Sequence, residues 1–248
     1  MNKKTNEAVE LLVDELNELG LPNMALKLGV LSISKDFLNK SHLDVISELI
    51  SSEYGDKISK RYNNRLRHAK LIGCPNDIDT CVNSEHREYQ PSGITELLAS
   101  TDFISAGMNV CILGASDSGK TYLAKALGIK ACNEYKVEYY HCEQFLADLV
   151  NLDSESHDKY NKKIKLLEKL DLLILDDFLL NTIMDEREVK VLFRVLEART
   201  EKCKSTIVCS QREPKSWASM IQNDEVAANA ILKRATKHYT VVIKTKQS

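Results

Sequence analysis

Met108-Asn109-Val110-Cys111-Ile112-Leu113-Gly114-Ala115-Ser116-Asp117-Ser118-Gly119-Lys120-Thr121 decides how the chain is read. An apolar run of strand length ends at a glycine, and a second glycine follows just before a lysine and a threonine. Backbone N–H groups can converge on a polyanion only where a side chain would not collide or where φ can be positive, which is what Gly114 and Gly119 supply. Lys120 adds a cation for the β- and γ-phosphates, and Thr121 adds a hydroxyl for Mg²⁺. The helix predicted to open at Gly119 aims its positive end at the same place. Residues Gly114 through Tyr122 are therefore the candidate binding loop for ATP, and the strand–loop–helix order is the context such a loop requires.

A second apolar run, Leu172-Leu173-Ile174-Leu175, ends in Asp176 and Asp177. It reads as a buried parallel strand of the Walker B kind, with Asp176 beside the phosphate loop to hold Mg²⁺ through water and Asp177 to polarise the attacking water. Two carboxylates at one strand end repel each other, and a divalent cation would relieve that repulsion. Ser205-Thr206-Ile207-Val208-Cys209 ends in Ser210 and Gln211, where either polar group could sense the γ-phosphate or simply make a turn. Arg234, in Ala230-Ile231-Leu232-Lys233-Arg234, has a surface salt bridge as its default role.

Working outward, apolar runs alternate with helical periodicity from Met108 to Ile243, which predicts a parallel sheet covered on both faces. Upstream, residues 1–72 read as a small all-helical domain. Its helices are expected over Ala8–Leu19, stopped by Gly20 and Pro22, over Met24–Leu31, from Ser41 to Gly55, and from Asp56 onward. Residues 73–92, with Gly73, Pro75, Asn76, Asp77, Pro91 and Ser92, read as a linker, leaving 93–248 as the catalytic domain. Between Lys57 and Gly73 there are six basic residues and no acidic one. That tract is either a solvated helix face or a phosphate-contacting one.

Composition narrows the classes. The net charge of −2 offers no whole-molecule attraction to nucleic acid, so any such attraction must be local. The seven cysteines form no Cys-x-x-Cys pair, which fits reduced thiols and a cytoplasmic location. Residues 7–15 are too acidic for a signal peptide, and no stretch is apolar enough to span a bilayer.

With these residues in hand the chain resembles the IstB-like helper ATPases of bacterial insertion sequences, relatives of the DnaC helicase loaders within the AAA+ class. The likeness covers nearly the whole sequence: Leu16–Ala25, Arg65-Leu66-Arg67 with Ala69-Lys70-Leu71, the two acidic-ended and polar-ended runs, Trp217, and Ala230–Arg234. It implies an α/β AAA+ domain with a parallel five-stranded sheet flanked by helices, preceded by the helical domain; because the sequence ends at Ser248, just after the last expected strand, no C-terminal lid is expected. By this resemblance Lys120 and Thr121 bind phosphate and Mg²⁺, Asp176 holds the metal and Asp177 takes the base position. Ser210 or Gln211 becomes sensor 1, and Arg234 an arginine finger reaching a neighbouring subunit's ATP. The implied partners are double-stranded DNA bound without strong sequence choice, a transposase, and further copies of the chain, with a replicative helicase as the alternative partner. Asp117 departs from the usual small loop residue and is expected to point outward, and Asp177 stands where many relatives carry glutamate.

Overall fold

The computed structural model describes residues 3–221 and 225–245. By internal contacts the chain divides into two units, residues 1–64 and 65–248.

The first unit is helical, with α1 (Lys3–Glu18), α2 (Pro22–Ser32) and most of α3 (His42–His68). Pro22 does not merely stop α1. It opens α2, because a residue in the first turn needs no intrahelical N–H donor. That helix start has no side-chain cap from its own Leu21; instead the buried Glu53 carboxylate of α3 accepts from Asn23 N at 3.0 Å and Met24 N at 3.3 Å. An anion at a helix N-terminus satisfies both the orphan donors and the dipole. The expected break at Gly55 is absent: α3 runs through it, since glycine weakens a helix without forbidding it.

The second unit is built on one mixed sheet. Its strands are β1 (Arg87–Gln90), β2 (Val110–Gly114), β3 (Val137–His141), β4 (Leu172–Asp176), β5 (Ser205–Ser210) and β6 (Tyr239–Thr245), in the order β1-β6-β2-β5-β4-β3. The expected five parallel strands are present, and β1 adds a sixth that pairs antiparallel with β6. Residues 73–92 therefore do not form a free linker. Ile78, Cys81 and Tyr89 are buried, and β1 closes one edge of the sheet. β5 lies between β2 and β4, so the loop after β2 and the acids after β4 face each other across one intervening strand.

Strands β4 and β5 are buried along their whole length, as strands covered on both faces must be. The covering helices are α4 (Ile94–Ala99), α5 (Asp102–Ser105), α6 (Lys120–Ala131), α7 (Cys142–Glu155), α8 (His157–Leu167), α9 (Glu186–Glu201) and α10 (Glu225–Ala235). Helix α6 lies close enough that a Cβ on Gly128 would come within 2.8 Å of both Ile174 Cδ1 and Leu71 Cδ1.

One charge is fully internal. Arg199 is 1% exposed, and its guanidinium donates to Thr206 Oγ1 at 3.0 Å, Leu170 O at 3.1 Å, and the Leu167 and Ser205 carbonyls. Burial lowers its pKa to about 9. The side chain ties the end of α8 to the start of β5, and at the helix end it supplies the Leu167 carbonyl with a donor the helix cannot give. Replacing Arg199 with methionine is expected to keep the volume but strand those acceptors, lowering unfolding stability by about 3 kcal/mol. A shift in denaturant midpoint with unchanged slope is the check.

Candidate nucleotide-binding site

Three strand ends converge at the carboxyl edge of the sheet, where open α/β folds bind ligands. After β2, residues 115–118 turn into α6. The backbone is tight here: a Cβ on Gly114 would lie 2.6 Å from both Ile243 O and Ser118 Oγ, and Gly119 and Asp117 have φ of +100° and +59°. Ser118 Oγ is buried without a hydrogen-bond partner, and Lys120 Nζ donates to Ala115 O at 2.6 Å. Burial lowers the Lys120 pKa, opposed by the negative charges of Asp176, Asp177 and Asp117. An ammonium drawn out of water beside a cradle of converging donors is a fit for the phosphates of ATP.

The second strand end supplies the carboxylates. Asp176 is 1% exposed; its Oδ2 accepts from the Tyr139 hydroxyl at 2.7 Å and its Oδ1 from Asp177 N at 3.0 Å. Asp177 sits at φ +52°, an unusual backbone state for a non-glycine residue, which turns the chain at once and exposes its side chain. Phe178 then returns to the core, with its N–H on Cys209 O at 2.7 Å and its ring against Trp217. The Asp177 carboxylate lies 3.2 Å from His141 Nδ1, at the end of β3.

At the third strand end, Ser210 Oγ is buried and accepts from Arg212 N at 3.2 Å, which occupies it within its own turn. Gln211 instead lines the same cavity, about 350 Å³, as Ser116, Asp117, Gly119, Lys120, Thr121 and Asp177. The loop and the acidic tip thus share one cavity. Asp117 is exposed yet forms part of that wall, so its charge is not directed wholly away as expected.

Two expected site residues lie elsewhere. Tyr122 uses its hydroxyl on Asp77 N at 3.2 Å and Thr80 Oγ1 at 2.9 Å, holding the 77–80 turn to α6. Arg234 pairs with Glu197 at 3.0 Å, stacks over Phe193, and lines a separate cavity between α9 and α10. Reading the residues in isolation missed Tyr139 and His141. Strand alternation could have placed Tyr139 on one face, but only the pairing of His141 with Asp176 in register puts both beside the acids.

The basic tract is partly engaged. Lys57 pairs with Glu53 and Lys60 with Asp56, while Arg65 donates to Cys132 O at 3.3 Å and Lys70 lies over the Tyr140 ring. Lys57, Lys60, Arg61, Arg67 and Lys70 remain exposed.

A glycine-bounded phosphate loop at the head of α6, a strand-end carboxylate pair and this strand order define a P-loop ATPase of the AAA+ class. Residues 14–248 match the IstB-like ATP binding proteins, and the chain belongs to that family. It is 34% identical over 222 residues to an insertion sequence ATP-binding protein of Sinorhizobium fredii, covering 88% of this chain and 86% of that one. It is 30% identical over 237 residues to the IS232 ATP-binding protein of Bacillus thuringiensis, covering 93% and 90%. Among solved structures, the DnaC helicase loader aligns with a TM-score of 0.52 and 21% identity over 75% of this chain and 99% of that one. The replication initiator DnaA bound to AMPPCP and single-stranded DNA aligns at 0.56 and 20% over 68% and 50%. At such identity these two speak to the fold. Among the described residues no helix is long and apolar enough to cross a membrane.

Proposed function

We propose that this protein is a Mg²⁺-dependent ATPase that assembles on duplex DNA with little sequence choice and recruits a transposase for insertion-sequence movement. The observation that carries the reading is the single cavity shared by Lys120, Thr121, Asp177 and Gln211 in a chain whose relatives belong to insertion sequences. Thr121 and Asp176 would hold Mg²⁺, whose positive charge would screen the carboxylate pair and the phosphates. Asp177 would take up the proton of the attacking water, with His141 orienting its carboxylate. Gln211 suits the sensor role better than Ser210, because it lines the cavity while the Ser210 hydroxyl serves its own turn.

Arg234 does not line its own chain's nucleotide cavity, which supports a role in trans. A cation supplied by a neighbour stabilises transition-state charge only after assembly, so hydrolysis would report oligomer formation. In that assembly the Glu197 pair would have to open, a small loss for a partly exposed ion pair.

DNA contact is assigned to the exposed part of the basic tract on α3. A Lys60→Ala/Arg67→Ala double variant is expected to weaken duplex binding and to reduce the slope of log affinity against log salt by about 2. Unchanged affinity and slope would move the contact elsewhere, with Lys159, Lys162, Lys163 and Lys165 as the next cluster. Stimulation of a purified insertion-sequence transposase, measured with and without ATP, tests the partner. Selective binding of a replicative helicase in its place would favour the loader reading.

A further inference from the structure

Arg87 opens β1 and pairs in register with Thr245, whereas Gly114 pairs with Ile243 on the same strand β6. The register therefore carries Arg87 beyond the end of β2, to the level of the phosphate loop. A Cβ built on Gly119 would fall 2.9 Å from Arg87 Cζ and 3.1 and 3.2 Å from its two terminal nitrogens. Near-equal distances to the three atoms mean that the guanidinium lies face-on over the Gly119 Cα, a contact that only glycine permits.

The side chain is half-buried, and Tyr89, two residues on and so on the same face of β1, is 3% exposed. Arg87 Nε is buried without a hydrogen-bond partner, and among the described residues no carboxylate lies within ion-pair distance of the guanidinium. A cation held against the positive end of α6 is electrostatically unfavourable until an anion joins it. Sheet order supplies the direction: β6 and β1 lie on one side of β2, and β5 and β4 with Gln211, Asp176 and Asp177 lie on the other.

We propose that Arg87 is a nucleotide-binding residue, donating to the α-phosphate end of the phosphate chain of a bound nucleoside di- or triphosphate. The proposal rests on the reading of the loop as the phosphate site. The carboxylates and their cation fix the γ end on the β4 side, so the opposite flank of the loop meets the α end. Arginine suits the place because its planar fork offers several donors to phosphate oxygens while staying charged. It also gives residues 73–92 a task, since they deliver this side chain to the site.

Titration calorimetry with ADP and with ATP on the full-length protein tests it, using Arg87→Gln, Arg87→Lys and Lys120→Ala. Arg87→Gln is expected to lose about tenfold in affinity for both nucleotides equally, with Arg87→Lys losing less. Without nucleotide neither Arg87 variant should melt below the parent. The proposal is overturned if Arg87→Gln binds ADP within about twofold of the parent, if ATP alone is weakened, or if glutamine and lysine lose equally. Should Lys120→Ala bind ADP normally, the loop reading itself fails; should it lose binding while Arg87→Gln does not, this inference alone fails.

Discussion

A Lys120→Ala variant is expected to bind ATP and ADP at least about a hundredfold more weakly and to show no measurable turnover. The reason is local. Lys120 is 6% exposed and held against the Ala115 carbonyl, with the carboxylates of Asp176, Asp177 and Asp117 acting on it only through their charge. Burial already lowers its pKa, so the ammonium has been placed where it is poorly solvated, and an arriving phosphate restores what water no longer gives. Removing it leaves the β- and γ-phosphates over the loop without their lysine cation. The fold should survive, because Lys120 anchors no core contact beyond its own loop, and melting without nucleotide should change little. Binding titrations and phosphate release on the same preparation are the measurements.

The second large effect separates binding from chemistry. Asp177→Asn keeps size and shape while removing the charge that would take a proton from water, so turnover should fall by about two to four orders of magnitude. ATP affinity should be nearly unchanged or slightly improved, since one negative charge leaves the neighbourhood of the phosphates. Asparagine is also one of the few residues that tolerates φ near +52°, so the turn after β4 should persist. His141→Ala is the companion variant: if His141 orients Asp177, turnover should drop by a smaller factor and ATP affinity should hold. Single-turnover kinetics would separate these outcomes. Loss of affinity in parallel with rate would assign Asp177 to binding.

The parts of the fold that repeat a simple pattern could be read from residues alone. β2 and β4 are apolar runs bounded by a glycine or by carboxylates, and they lie within a residue or two of where the pattern placed them. The strand β1 was hidden because Arg87-Glu88-Tyr89-Gln90 is short, mostly polar and buried only at Tyr89, the expected signature of an edge strand whose outer face meets water. Its pairing with β6 spans most of the domain's sequence, and no local preference encodes it. The long α3 was missed for the opposite reason: Gly55 and the following Asp56 imitate a stop, but the packing of Leu66 and Ala69 and the capping duty of Glu53 override the local signal.

The site shows the same division. Loop residues announce themselves because a phosphate cradle constrains backbone, and only certain residues satisfy that constraint. Tyr139, His141 and Arg87 are ordinary residues until the sheet register brings them to Asp176, Asp177 and Gly119. Arg234 illustrates the limit from the other side: its spacing on α10 is plain, yet its place over Phe193 and against Glu197 belongs to tertiary packing.

The central claim is that the glycine-bounded loop and the β4 acids jointly enclose one nucleotide with its metal. Electron density for the protein crystallised with Mg²⁺ and a non-hydrolysable ATP analogue tests it most directly. The account predicts phosphates over residues 114–121, a metal between Thr121 and Asp176, and Asp177 facing the γ-phosphate. Nucleotide bound in another cavity, or a metal with no approach to Asp176, would contradict it.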